Sequence, residues 1–268
     1  MSTAVSRDSE SISVRVAAAQ ARSRLSFRLK FAATWVLLIG LLLFGLWATD
    51  NIDLGFIVIW GPFIVGGAGL TVVISVVSIF FATILALLGA VGRMSANPYL
   101  NGVASLYVSL VRGTPLIVQI YFIYLALPQV GIVLPAIPAG IIALSFNYGA
   151  YLTEVFRAGI QAVPRGQREA AQSLGMPSRL VMRRIVLPQA FRIVIPAVGN
   201  DFVAMLKDSS LVSILAVEEL LFRSQLVGRQ NFRSLEALVI AAAVYWLLTI
   251  IFSSVQERLE RRMARADR

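Results

Sequence analysis

Long apolar runs separated by short polar segments dominate this chain. The runs are Phe31 to Trp47, Pro62 to Val91, Val103 to Leu127, Ala136 to Ile160, Ala190 to Leu206 and Glu236 to Val255. Each has the length and apolarity of a membrane-crossing helix, with the first, about 17 residues, near the short end. The pattern therefore predicts an all-α membrane protein with six transmembrane helices. Thr49 to Gly61 carries Asp50 and Asp53 and no basic residue, and is expected to be an external connection. An uncharged Pro/Gly-rich loop joins the third and fourth spans. A mixed-charge connection, Lys207 to Leu235, joins the fifth and sixth, with a short helix expected around Leu211 to Phe222. Within the second run Ala82, Ala86 and Ala90 recur four apart. Small residues at that spacing let helices approach closely in lipid, so the stripe is expected to be a packing face.

Arg165 to Pro188 interrupts the apolar pattern, and it reads as two short helices with a break between them. On the first, Ala170, Ala171 and Leu174 share one side and Arg168, Glu169, Gln172 and Ser173 the other. Gly175 stands where a helix C-terminus calls for a left-handed residue, and Pro177 enforces the stop. Ser178 is expected to cap a second helix, Arg179 to Val186, ended by Pro188. On that helix Val181, Met182, Ile185 and Val186 oppose Arg179, Arg183 and Arg184, a pattern suited to a membrane surface.

Composition sharpens this picture. Of 268 residues 58 % are hydrophobic and mean hydropathy is +0.79, too apolar for a soluble domain. The formal charge of +10 is carried in blocks between apolar runs, which reads as orientation signal rather than a nucleic-acid surface. Residues 1–30 hold six Lys/Arg against two acids, the insert 165–188 five Arg against one Glu, and the tail 257–268 five Arg against three acids. The intervening connections are acidic or neutral. The positive-inside rule then places the basic N-terminal segment 1–30, the insert and the tail 257–268 in the cytoplasm, flanking a membrane domain 31–256. Residues 1–30 are expected to be disordered, with an amphipathic helix near Val14 to Leu29. No cleavable signal peptide is evident, because that polar start is too long for an n-region. With no Cys and no His, thiol nucleophiles, imidazole acid–base chemistry, disulfides and the usual zinc sites are excluded. No catalytic or metal site is expected. The only lysines, Lys30 and Lys207, precede Phe31 and Asp208, so the chain has no phosphate-binding loop.

The insert also carries a resemblance. Glu169-Ala170-Ala171, three residues, Gly175, nine residues, then Ile185-x-Leu187-Pro188 resembles the EAA loop of ABC importer permease subunits. Arg112-Gly113-Thr114-Pro115, Leu187-Pro188-Gln189-Ala190 and Lys207-Asp208-Ser209-Ser210-Leu211-Val212 narrow it to the polar amino acid permeases among them. The similarity runs from about Gly66 to Glu260. It implies a five-helix type I importer core, to which Phe31 to Trp47 adds an N-terminal span. It implies ATP and Mg bound by a separate ATP-binding cassette subunit, an extracytoplasmic solute-binding protein, and a second permease subunit. It implies that Glu169, Ala170, Ala171, Gly175, Leu187 and Pro188 form the coupling contact with the ATPase. The expected location is the prokaryotic cell membrane, in contact with lipid. The expected function is translocation of a polar amino acid, against the alternative of an ion-coupled secondary transporter using Glu154 and Asp201.

Charges within the spans are costly, about 2.5–3.5 kcal/mol each at a helix centre, and so point to sites. Arg112 precedes Gly113-Thr114-Pro115, where Pro115 withdraws a backbone donor and predicts a kink. Beside freed backbone, Arg112 and Thr114 suit a substrate carboxylate; the alternative is a structural kink with Arg112 paired or snorkelling. Asn147, Tyr151 and Glu154 share one face of the fourth span. Glu154 is a candidate for a substrate ammonium, unless Arg157, three residues on, simply neutralises it. Asp201 on the fifth span is the second candidate anion. Lys207 and Asp208 are expected at the outer surface, in a local ion pair or in contact with the delivering protein.

Overall fold

The computed structural model describes residues 22–41, 44, 45, 48 and 53–265. Packing divides the chain into residues 1–54 and residues 55–268. In the first unit residues 22–41 form one helix, α1, whose side chains are exposed. Residues 22–30, which overlap the amphipathic helix expected near Val14 to Leu29, are helical and continuous with the apolar run. Residues 1–21, Asp50, and parts of the Phe31–Trp47 span fall outside the described residues.

The second unit contains only helices among the described residues. Where Thr49 to Gly61 was expected to be a connection, helix α2 (Leu54–Val65) begins. Apolar Phe56 and Ile64 are buried in it against Leu220, Val227, Ala237 and Ala241, and that burial turns a short acidic-flanked stretch into helix. After a two-residue break comes α3 (Ala68–Arg93), then α4 (Pro98–Arg112), capped by the Asn97 side chain accepting from Tyr99 N–H. Helix α5 (Leu116–Tyr121) continues through a π turn, Phe122–Ala126, and a 3-10 turn, Leu127–Val130. Helix α6 (Ala136–Gln161) leads to the short helices α7 (Arg165–Ser173) and α8 (Ser178–Val181). A π turn, Met182–Val186, joins α8 to α9 (Leu187–Asp208). A 3-10 turn, Ser209–Leu215, then α10 (Leu220–Gln230) and α11 (Ser234–Arg265) complete it.

Helices α3 and α6 make the most extensive contact in the unit. The alanine stripe explains it: Ala82, Ala86 and Ala90 are all buried in the main core with Ala139, Ala143, Leu144 and Leu152 of α6. The approach is so close that a Cβ on Gly89 would lie 2.2 Å from Thr153 Oγ1. A second polar knot ties the far part of the chain to α3. Glu219, fully buried, caps α10 by accepting from Phe222 N–H at 2.8 Å, and also accepts from Thr71 Oγ1 and from Tyr245 OH at 2.6 Å. With three donors on one carboxylate, its burial is offset.

Among the described residues two helical stretches, Leu54–Arg93 and Ser234–Met263, are long and apolar enough to cross a membrane, against the six expected for the whole chain. A third is reached if Pro98–Arg112 and Leu116–Val130, bent by 107°, count as one span.

Candidate functional site

Two places in the second unit answer to the sequence expectations. The first is the insert. Helix α7 ends in the paired closure typical of a left-handed cap: Gly175 N–H donates to Gln172 O and Met176 N–H to Ala171 O, with Gly175 at φ +79°. The faces of α7 divide differently from the wheel. Ala171 is buried against Val163, Val181, Val186 and Ala190, whereas Ala170 and Leu174 are exposed together with Glu169. The surface left for a partner is therefore Glu169, Ala170 and Leu174, with Ala171 anchoring the helix to its own chain.

Two details correct the expected second helix. Ser178 makes no cap; the Pro177 carbonyl accepts from Leu180 N–H and Val181 N–H instead. Nor does Pro188 end the helix. Pro188 brings no N–H to the ladder, and the backbone widens into the π turn, where Leu187 N–H reaches back to Met182 O. The chain then runs on as α9, with Leu187 half-buried and Pro188 exposed in its first turn. Val181 and Val186 are buried and Arg179, Arg183 and Arg184 exposed, as the amphipathic pattern requires.

The second place is the break between α4 and α5. Thr114, preceding Pro115, cannot stay helical, and the two helices diverge by 107°, far more than a kink. Gln119, an amide inside the apolar run Leu116–Tyr121, closes the break: its Nε2 donates to Val111 O at 2.8 Å, to Thr114 O at 3.1 Å and to Thr114 Oγ1 at 2.9 Å. Thr114 Oγ1 in turn donates to Leu110 O. Buried Asn147 of α6 donates to Gln119 Oε1. Arg112 is exposed at the end of α4, not buried within a helix, and its guanidinium sits 5.1 Å from the centre of the Tyr151 ring. Arg112, Tyr151, Asn147 and Gln119 thus gather polar groups from α4, α5 and α6 at the break, and Asp201 stands separately on α9. The Tyr148 hydroxyl of α6 donates to Asp208 Oδ2 at 2.6 Å. Asp208 turns inward to Tyr148 across α6 rather than making the expected local pair.

Glu154 stands apart from the groups at the break. One carboxylate oxygen accepts from Arg93 Nε at 3.2 Å and the other from Arg157 at 2.6 Å. The pairing of Arg93 with Glu154 joins residues 61 apart in sequence. Asp201, by contrast, accepts no hydrogen bond among the described residues. No group of three His, Cys, Asp or Glu side chains suited to a metal ion occurs among the described residues.

With this geometry in place, the comparisons with known proteins converge. Residues 82–265 match the family of binding-protein-dependent transport system inner membrane components, and the chain belongs to that family. It is 41 % identical over 205 residues to the L-cystine transport system permease protein TcyB of Bacillus subtilis, covering 76 % of this chain and 88 % of that one. It is 34 % identical over 218 residues to the arginine transport system permease protein ArtQ of the same species, covering 81 % of this chain and 100 % of that one. A crystal structure of an amino acid ABC transporter with histidines superposes with a TM-score of 0.76 at 38 % identity, covering 79 % of this chain and 99 % of that one.

Proposed function

We propose that this chain is the membrane-spanning permease subunit of an ABC importer for a polar amino acid. It crosses the membrane six times, with both termini and the 165–188 insert in the cytoplasm. A solute-binding protein delivers the substrate from outside, and a second permease subunit completes the pore. ATP and Mg are bound by a separate ATPase, against which Glu169, Ala170 and Leu174 of α7 dock, so this chain performs no catalysis of its own. ATP binding shifts the pore between inward- and outward-open states because its contacts at α7 differ between them.

The observation that carries the substrate class is the arginine held at the break between α4 and α5, Arg112 over Tyr151, with the acid Asp201 on α9 as the candidate countercharge. Arg112, held over Tyr151 at 5.1 Å, offers a guanidinium fork to a carboxylate. Asp201, which accepts no hydrogen bond among the described residues, offers a countercharge to an ammonium or a polar side chain. An amino acid enters fully charged at both groups, and both must be compensated in a low-dielectric pore. Glu154 supports that site only indirectly, since its two oxygens are already engaged. The whole complex reconstituted in vesicles, challenged with a panel of competing amino acids, tests this. Competition confined to polar amino acids with free carboxylate and ammonium groups is expected; equal competition by apolar amino acids, or by amides lacking the carboxylate, defeats the assignment.

A further inference from the structure

A cavity of about 630 Å³ opens between the C-terminal ends of α3 and α6 and the start of α7, lined by Arg93, Asn101, Arg157, Gln161, Arg165 and Arg168. Four arginines line it, and among the described residues the only carboxylate paired with any of them is that of Glu154. Part of this charge is accounted for. Arg93 and Arg157 clamp Glu154, Arg157 also donates to Gln161 Oε1, and Arg168 donates to Ile160 O in the last turn of α6. The ends of two helices add negative partial charge nearby.

The remainder is not accounted for. Arg168 Nε is buried with no acceptor. Arg165 is exposed and donates to no acceptor among the described residues. A buried donor without a partner is rare enough to call for one. What would satisfy several converging forks at once is a tetrahedral oxyanion carrying more than one acceptor, since arginine matches phosphate geometry with paired N–H groups. Helices α3 and α6 also end here, at Arg93 and Gln161, where the basic insert begins; basic residues at a cytoplasmic membrane surface attract anionic headgroups.

We infer that this cavity binds a phosphate group, from a phospholipid headgroup or from soluble phosphate, bridging the ends of α3 and α6 to the coupling helix α7. Such a ligand would fix the angle at which α7 leaves the membrane domain. The inference rests on the cavity alone and not on the identity of the transported solute.

The test uses the permease–ATPase complex in neutral detergent, with binding rather than transport as the readout. One arm follows Tm against inorganic phosphate, with chloride at matched ionic strength as control. The other measures phosphatidylglycerol retained by the complex in native mass spectrometry. A saturable response to inorganic phosphate identifies a soluble anion site, and a response to phosphatidylglycerol alone identifies a headgroup site. Arg165→Gln with Arg168→Gln is expected to weaken whichever response occurs by about tenfold or more, as for the loss of charge-assisted bonds. Lysines at both positions should restore only part of it. Should the double variant fail to assemble, Arg165→Gln alone, at an exposed side chain without hydrogen bonds, must still weaken binding measurably. No saturable response in either arm, or equal responses in wild type and variants, overturns the proposal. Loss of the ATPase from the variant with both responses unchanged does so too, because the arginines would then serve the partner protein.

Discussion

The chain breaks twice at the same tripeptide pattern, Gly113-Thr114-Pro115 and Gly175-Met176-Pro177, and solves the two breaks differently. At the first, Gly113 keeps an ordinary φ of −85° and donates to Ser109 O, and the carbonyls of Val111 and Thr114 are taken by the Gln119 side chain. At the second, Gly175 turns left-handed at φ +79° and the backbone closes on itself. The difference follows from surroundings. At the first break a polar side chain satisfies the opened backbone, and it brings Asn147 with it. In the insert the closure consumes no side chain, which leaves Glu169, Ala170 and Leu174 facing outward. One break gathers polar groups inward, where the proposed solute would sit; the other leaves an outward surface, where the proposed partner would dock.

The largest effects should come from the outward-facing break. Glu169→Lys reverses the charge presented to the ATPase, and Gly175→Val forces a β-branched residue into left-handed backbone. Both are expected to abolish ATP-driven uptake in vesicles while the complex still inserts and hydrolyses ATP. Wild-type uptake in both variants would show that α7 does not transmit the stroke.

Next in size is the contrast between two carboxylates inside the bundle. Asp201→Asn should weaken apparent substrate affinity by roughly ten- to a hundred-fold, the loss of one charge-assisted contact of about 1.5–3 kcal/mol. Glu154→Gln should leave affinity near wild type and instead lower the Tm of the complex, because Arg93 and Arg157 lose the charge that holds them together. If Glu154→Gln impairs affinity and Asp201→Asn does not, the acidic group of the site lies on α6.

These two carboxylates also mark how far the sequence could be read. The break at Gly175 and Pro177 was legible in the sequence, because glycine and proline punctuation acts locally and Gly175 has few options. The alanine stripe was legible for the same reason: helical spacing is a local property, and Ala82, Ala86 and Ala90 are all buried. Ala171 and Pro188 were misjudged, since which side of α7 faces its own chain depends on Val163, Val181 and Val186, and a π turn can carry a helix through proline. The helix at Leu54–Val65 was missed because its burial depends on α10 and α11, far along the chain. The roles of Glu154 and Asp201 were hidden most deeply. Arg157 is visible three residues from Glu154, but Arg93 reaches it only through the packing of α3 on α6. Gln119 had a visible signal, one amide in the apolar run LIVQIY, whose purpose appears only beside the break.

Gln119 tests the inward break directly. Gln119→Leu keeps the volume but strips the donors from Val111 O and Thr114 O, leaving half-buried carbonyls open at about 1–3 kcal/mol each in the worst case. The expected outcome is a lower Tm and a several-fold loss of substrate affinity, through displacement of Arg112 and Asn147. Gln119→Glu, which retains acceptors and no amide donor, should behave like Leu. Wild-type thermal stability in both would mean that the break is closed by other means.

The smallest effects separate the two glycines by backbone alone. Nothing lies within 4 Å of a Cβ placed on Gly175, so side-chain size cannot rank substitutions there. Only the cost of left-handed backbone can, about 1–2 kcal/mol for an ordinary residue and less for asparagine. Gly175→Asn should therefore retain near wild-type uptake and Gly175→Ala should lose a few-fold, an order opposite to size. At Gly113 the backbone is right-handed and a Cβ would meet Ser109 O at 2.9 Å. Alanine and asparagine should then impair equally there, because both carry the same Cβ. If asparagine and alanine are equivalent at Gly175, its left-handed turn contributes nothing to coupling, and the two breaks differ only in where they sit.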